Sequence, residues 1–236
     1  MRQELKLSIR TSAAGEQESW LELNCPAGTV AETLVTHFGN LPSPLAAVRV
    51  NDEILSLSSR LEVNARLEPV LMEGSEGAAV YRNSLAFLLA VAAKEQYPER
   101  SLYIGHSLGR GYYYTFLEGR IPKKKEIEIL QEKMRQLVQK KLPITCRYMA
   151  YGEAMELFKK NRLDDTVMLL EQRSESKIMV NECDDYVDLY ISPLVSNTGI
   201  LQIFELMPYE DGFLLRFPAA HIGKRLEPFE LGKTLL

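Results

Sequence analysis

Cysteine is scarce in this sequence. Cys25, Cys146 and Cys183 are odd in number and far apart. With no CxxC and no Cys/His cluster, neither a zinc framework nor a disulfide scaffold is expected, and a reducing cytoplasm fits best. Long hydrophobic runs are missing as well. The longest, Leu85 to Ala93, falls far short of the ~20 residues a membrane helix needs. The opening MRQELKLSIR alternates charged and apolar residues, unlike a secretory leader. Positive charge is not in excess either. At a net charge of −4, any contact with nucleic acid has to come from a local patch and not from the field of the whole molecule. No internal repeat or low-complexity tract appears.

What is present is ordinary for a folded chain. With 236 residues, 46% hydrophobic and 25% charged, there is room for one large domain or two small ones. Leu5 to Arg10 and Trp20 to Leu23 alternate with period two, and the polar TSAAGEQES between them reads as a hairpin turn. Thr29 is placed to cap a helix running to Phe38, with Glu32 at the capping-box position and Gly39-Asn40 as its stop. Short strands follow at Ala47–Val50, Glu53–Leu55 and Arg66–Leu71, with a turn at Asn51-Asp52. A hairpin, one helix and returning strands make a β-grasp module.

Glu73 to Gly77 reads as a linker. Ala78 to Tyr97 then predicts a helix apolar almost all round, hence buried, and Pro98 ends it. Leu102–Ile104 and Tyr112–Phe116 are strand-like, and Pro122 at a first helical position opens a charged helix reaching about Lys141. Two short helices, Tyr151–Lys160 and Asp164–Arg173, and strands near 178–183, 186–191, 200–206 and 212–217 complete an α+β domain.

Two strings look like catalytic motifs. Gly105-His106-Ser107-Leu108-Gly109 fits G-x-S-x-G, the nucleophile elbow of α/β-hydrolases, and Asp residues and His221 follow in the matching order. The elbow, however, is a strand-to-helix turn whose helix end helps to stabilise an oxyanion. Here the continuation Arg110-Gly111-Tyr112-Tyr113-Tyr114-Thr115-Phe116 is rich in strand formers, and no HGGG-type loop or βαβ series precedes it. The string predicts a tight glycine hairpin with His106 and Ser107 at its rim. Gly232-Lys233-Thr234 imitates a phosphate loop, but Glu227 stands where the first glycine is required.

The order of elements resembles the front of threonyl-tRNA synthetases. "AAVRVNDEILSLSSRLEVNARLEPVLMEGSEG" is similar to the second half of their TGS domain, a β-grasp. "YRNSLAFLLAVAAKEQYPERSLYIGHSLGRGYYY", "LQEKMRQLVQKKLPI", "YGEAMELFKKNRLDDTVMLLE" and "DYVDLYISPLVSN" follow their editing domain in collinear order. The resemblance implies a TGS-like β-grasp over 1–74 and a synthetase editing-like (second additional) α+β domain over 75–225. The family's editing motifs, H-x-x-x-H on the first helix and C-x-x-x-H in the segment D-x-C-x-G-P-H, are absent. Asn83 and Phe87 replace the first pair, Tyr190 and Leu194 the second. The imidazole and thiolate groups that hydrolyse mischarged tRNA are therefore missing at all four places. Phenylalanine and leucine there read as core filling or as a remodelled ligand pocket.

"HSLGRGYY", "SPLVSNTGILQIFEL" and "YEDGFLLRFP" with "LEPFELGKTLL" also resemble bacterial uridine kinase-like nucleoside kinases, in which this domain pair precedes a P-loop kinase domain. That resemblance implies that 226–236 begins a linker to a missing kinase domain, which would carry ATP and Mg. The chain itself is then expected to hold no cofactor, metal or catalytic residue. Its expected role is to bind RNA or a nucleotide-like ligand and to regulate the attached kinase, with no membrane contact. His106, Ser107, Arg110, Tyr113 and Tyr190 are assigned to the ligand rim, because tyrosines can stack on bases and basic residues, with Lys123-Lys124-Lys125 nearby, can neutralise phosphates. An editing-like hydrolase using His106 as base and a purely structural oligomerisation module are the alternatives.

Overall fold

Strict alternation builds the first sheet. In the computed structural model, which describes residues 3–11, 19–109, 111–117, 120–172, 175–219 and 225–228, Leu5, Leu7 and Ile9 of strand β1 (Glu4–Arg10) are fully buried. The chain divides into two units, Met1–Asn83 with Ser192–Ser196 and Ser84–Ile191 with Asn197–Leu236.

In the first unit β1 pairs antiparallel with β2 (Trp20–Pro26). A short strand β3 (Thr29–Val30) leads into a 3-10 helix, Ala31–Phe38, and then come β4 (Leu45–Val50), β5 (Glu53–Leu55), β6 (Arg60–Leu61) and β7 (Ala65–Leu71). The sheet order is β2-β1-β7-β4-β5, with β1 and β7 parallel at its centre. That is the β-grasp arrangement. Leu34 and Phe38 of the 3-10 helix close over Leu7, Val48 and Leu67.

The expected capped α-helix is corrected in two respects. Thr29 lies in β3, where it pairs with Leu61 and donates its hydroxyl to Pro26 O at 2.6 Å. Glu32 accepts a hydrogen bond from Ser196 Oγ at 2.8 Å instead of closing a capping box. Without either cap the segment winds as a tighter 3-10 helix from Ala31. Gly39 stops it, at φ 73. The TSAAGEQES turn lies mostly outside the described residues.

The long helix α1 (Ser75–Gln96) starts within the segment read as a linker. Its second half belongs to the other unit, where Leu85, Leu88, Leu89 and Ala92 are fully buried. There follow β8 (Leu102–Ser107), β9 (Gly111–Phe116), α2 (Lys124–Lys140), β10 (Thr145–Ala150), α3 (Tyr151–Lys160) and α4 (Asp164–Glu171). Then come β11 (Lys177–Cys183), β12 (Tyr186–Leu189), a 3-10 turn at Thr198–Ile200, β13 (Glu205–Tyr209) and β14 (Gly212–Arg216). Two sheets result, β13-β14-β9-β8 and β10-β11-β12. Phe158, Leu170 and Ile178 pack α3 and α4 onto the smaller one.

Three boundaries differ from expectation for local reasons. Pro122 is not in the first turn of α2: Glu126 Oε2 accepts the Lys123 N–H at 2.9 Å, which fixes Lys123 as N-cap. The strand expected at 186–191 ends at Leu189, leaving Tyr190 just beyond it. The strand expected at 200–206 begins only at Glu205, because the chain first turns around Thr198. That threonine is fully buried. Its hydroxyl donates to Leu137 O at 2.7 Å and accepts the Leu142 N–H at 2.9 Å, and its own N–H bonds Leu142 O at 2.9 Å. One side chain thus ties the end of α2 to the turn.

Candidate functional site

The pentapeptide GHSLG closes a hairpin, as its strand formers predict. β8 and β9 are antiparallel, Leu108 N–H bonds Gly111 O at 2.9 Å, and Ser107 sits opposite Tyr112. The register shifts between Ile104 and Ser107, so Gly105 and His106 together face the single residue Tyr113. Gly105 is needed there: a Cβ would lie 2.9 Å from Tyr113 Cδ1. Beyond Ser107 the chain turns into strand β9 and not into a helix, so the strand-to-helix elbow geometry is not formed.

Alternation sorts the tyrosine run onto two faces. Tyr114 is buried and stacks on Phe213 with centroids 6.0 Å apart, while Tyr112 lies tilted against Phe217 at 5.1 Å. Tyr113, on the other face, is half-buried. The exposed His106 ring stacks on it at 5.5 Å and 23°, and Tyr209 meets its edge at 6.2 Å. Burial, with Asp211 and Glu210 nearby, raises the Tyr113 hydroxyl above its ordinary pKa, so it remains a neutral donor. The structure therefore brings His106 and Tyr113 together, with the exposed Ser107 next in the chain. Tyr190 belongs to a different neighbourhood, its N–H bonding Met179 O at 3.0 Å. Arg110, His221 and residues 232–234 lie outside the described residues.

The four substituted editing positions fall two in each unit. In the first, Asn83 Nδ2 donates to Ser192 Oγ at 2.9 Å, and Leu194 is buried. In the second, Phe87 is buried edge-on against Tyr186, with centroids 5.5 Å apart. Phe87 and Leu194 fill core. Asn83 is held by a structural hydrogen bond.

Sequence reasoning passed over Asp188, which stands two residues before Tyr190. Its carboxylate accepts the Leu189 N–H at 2.7 Å and the Tyr186 hydroxyl at 3.2 Å. Burial raises its pKa, and those bonds with one from Thr166 partly offset the rise. Only the acidic first letter of the family's D-x-C string could have pointed to it. Burial, with Asp184 and Glu95 adding to it, pushes the Cys183 thiol up to about 11, which disfavours the thiolate. Among the described residues no group of three or more His, Cys, Asp or Glu could hold a metal ion, and no helix is long and apolar enough to cross a membrane.

No family model matches the chain. It is similar to curated proteins all the same. The threonine–tRNA ligase of Coxiella burnetii (strain RSA 493 / Nine Mile phase I) is 32% identical over 178 residues, which is 75% of this chain and 27% of that protein. The threonine–tRNA ligase of Francisella tularensis subsp. novicida (strain U112) is 27% identical over 167 residues, 71% of this chain and 26% of the ligase. The chain thus spans about a quarter of the length of these relatives. Together with the observed sheets, the similarity establishes the fold class: α+β, a TGS-like β-grasp followed by a synthetase editing-like α+β domain.

Proposed function

We propose that this chain is a tRNA-binding region of the synthetase editing type, in which binding is retained and the family's hydrolytic groups are gone. The observation that carries the reading is the fate of the four editing positions on a retained fold. Asn83 is engaged by Ser192, Phe87 packs on Tyr186, Leu194 is buried and Tyr190 carries a phenol, so none offers an imidazole or a thiolate. The exposed His106 ring, stacked on the half-buried Tyr113, supplies a donor and a flat ring face of the kind that receives an unpaired base. That the relatives are tRNA ligases supports RNA as the partner.

The same relatives favour a second reading, an editing-like hydrolase with a remodelled site and His106 as base. One experiment divides the two. The purified chain should retain tRNA on a filter while Ser-tRNA charged on a threonine tRNA decays only at the uncatalysed rate. Deacylation above that rate, lost in His106→Ala, would establish the hydrolase, and failure to retain any tRNA would end both readings. A nucleoside-kinase parent, bringing ATP and Mg, rests on sequence strings alone and draws no support from the ligase relatives.

A further inference from the structure

The end of α2 borders a cleft of ≈ 430 Å³ lined by Arg135, Val138, Gln139, Lys141, Gly199, Gln202 and Phe204. It lies wholly within the second unit and shares no residue with the four substituted positions. Its size is in the range of small-molecule sites, too large for a bare inorganic anion. None of its lining residues is acidic, although the chain as a whole is net negative. From Lys133 to Gly152 the sequence contains no Asp or Glu. Arg135 and Lys141 are exposed, and among the described residues neither is in an ion pair.

The cleft is built, not incidental. Arg135, Val138 and Gln139 share one face of α2, a turn apart. Lys141 adopts the left-handed conformation, φ 52 and ψ 43, which turns the chain at the helix end. Its stem runs over Gly199, where a Cβ would lie 2.7 Å from Lys141 Cγ. Gln202 is tied back to Gly199 O at 3.2 Å. The negative end of the helix dipole would ordinarily repel an anion here. That field is blunted, because Leu137 O is taken by the Thr198 hydroxyl and Val138 O by the Lys141 N–H.

We propose that this cleft binds a nucleoside monophosphate unit. Its phosphate lies between Arg135 and Lys141, its base rests on the apolar floor of Val138 and Phe204, and the two glutamine amides address polar edges of base or sugar. The unit can come from a free nucleotide or from one residue of an RNA strand. The inference does not rest on the tRNA-binding reading, since a chain that failed to retain tRNA could still bind the free nucleotide.

The test is titration calorimetry with UMP, AMP, the matching nucleosides and a short single-stranded RNA. The wild-type chain is compared with Arg135→Ser/Lys141→Asn and with the control Lys124→Gln on the same helix. Asparagine tolerates the left-handed conformation at 141, and circular dichroism checks that the fold is kept. Saturable binding of the monophosphates, weaker by about tenfold or more without the phosphate and in the double variant, and unchanged in Lys124→Gln, is the expected result. Variant-sensitive binding of the RNA but not of the monomers would assign the unit to an RNA strand. Binding of neither, or equal losses in the control and the double variant, would overturn the proposal.

Discussion

The two units treat their charges differently. In the β-grasp, Arg10 pairs with Glu68 at 3.2 Å, Arg49 reaches both oxygens of Glu76 at 2.6 Å, Arg60 donates to Gly28 O, and Arg66 lies over Trp20. In the second unit some cations are likewise paired, Lys133 with Glu95 and Arg147 with Glu182. Among the described residues Arg135 and Lys141 have no ion-pair partner, and they flank a cleft. A cation already matched by a carboxylate must lose that partner before it can take a ligand, whereas an unmatched one at a cleft pays no such exchange. Both interiors hold polar side chains, Ser43, Ser56 and Ser196 in the first unit and Ser84, Asn181 and Thr198 in the second, and Thr198 is placed by several hydrogen bonds.

That contrast can be broken first at two glycines. A Cβ at Gly212 would meet Tyr114 O at 2.1 Å, backbone that cannot move without parting β14 from β9. Gly212→Ala should cost about 3 kcal/mol or more. Gly28→Ala in the β-grasp meets nothing within 4 Å and faces only the strain of φ +86, about 1–2 kcal/mol. Urea unfolding followed by hydrogen exchange, which reads each unit separately, should show the larger loss in the second unit. Equal losses would deny the difference in tolerance between these two positions.

A smaller effect is expected at Thr198. Thr198→Val preserves shape but leaves Leu137 O and Leu142 N–H without their buried partner, for a loss of about 2 kcal/mol. The loss should appear as faster exchange of amides in the last turn of α2, with β1 and β7 unaffected. A uniform change across both units would contradict the local role given to this threonine.

The smallest effects concern pH and should have opposite signs at two carboxylates of the second unit. The Lys123 N–H bond, with Arg120 and Arg100 beside it, holds the Glu126 pKa below its ordinary value. Its contribution is present above the unfolded value and is lost as pH falls through the folded one. Burial raises Asp188, so its contribution is full below the ordinary aspartate range and is lost as pH rises through its raised value. Glu126→Gln, costing about 1 kcal/mol or less at neutral pH, should flatten the acid limb of the urea midpoint. Asp188→Asn should remove a decline on the rising side. Two variants with the same pH profile as the parent would refute both assignments.

Where side-chain period decided the outcome, the sequence could be read directly. Leu5, Leu7 and Ile9 alternate into the core, α3 spans Tyr151–Lys160 as its pattern predicts, and the strand formers after Leu108 make GHSLG a hairpin. Where a distant partner decided it, the sequence was silent. Thr29 and Glu32 have the right spacing for a cap, yet Pro26 and Ser196 claim their side chains. Thr198 looks like any surface threonine until Leu137 and Leu142 fold against it. The candidate site divides in the same way. The loss of editing groups at Asn83, Phe87, Tyr190 and Leu194 was visible as residue identity. The stacking of His106 on Tyr113 depends on a one-residue register shift that no local pattern encodes.

The same register shift bears on how copies of this chain behave in a crowded solution. Among the described residues β8 is an outer strand of its sheet, with Tyr103 and Ile104 exposed, an invitation for another molecule to add a strand. With Gly105 and His106 set against one residue, the outward row of amides and carbonyls loses its even spacing halfway along. A flat incoming strand could follow the edge for a few residues only, so the bulge that presents the imidazole also guards against sheet-to-sheet aggregation.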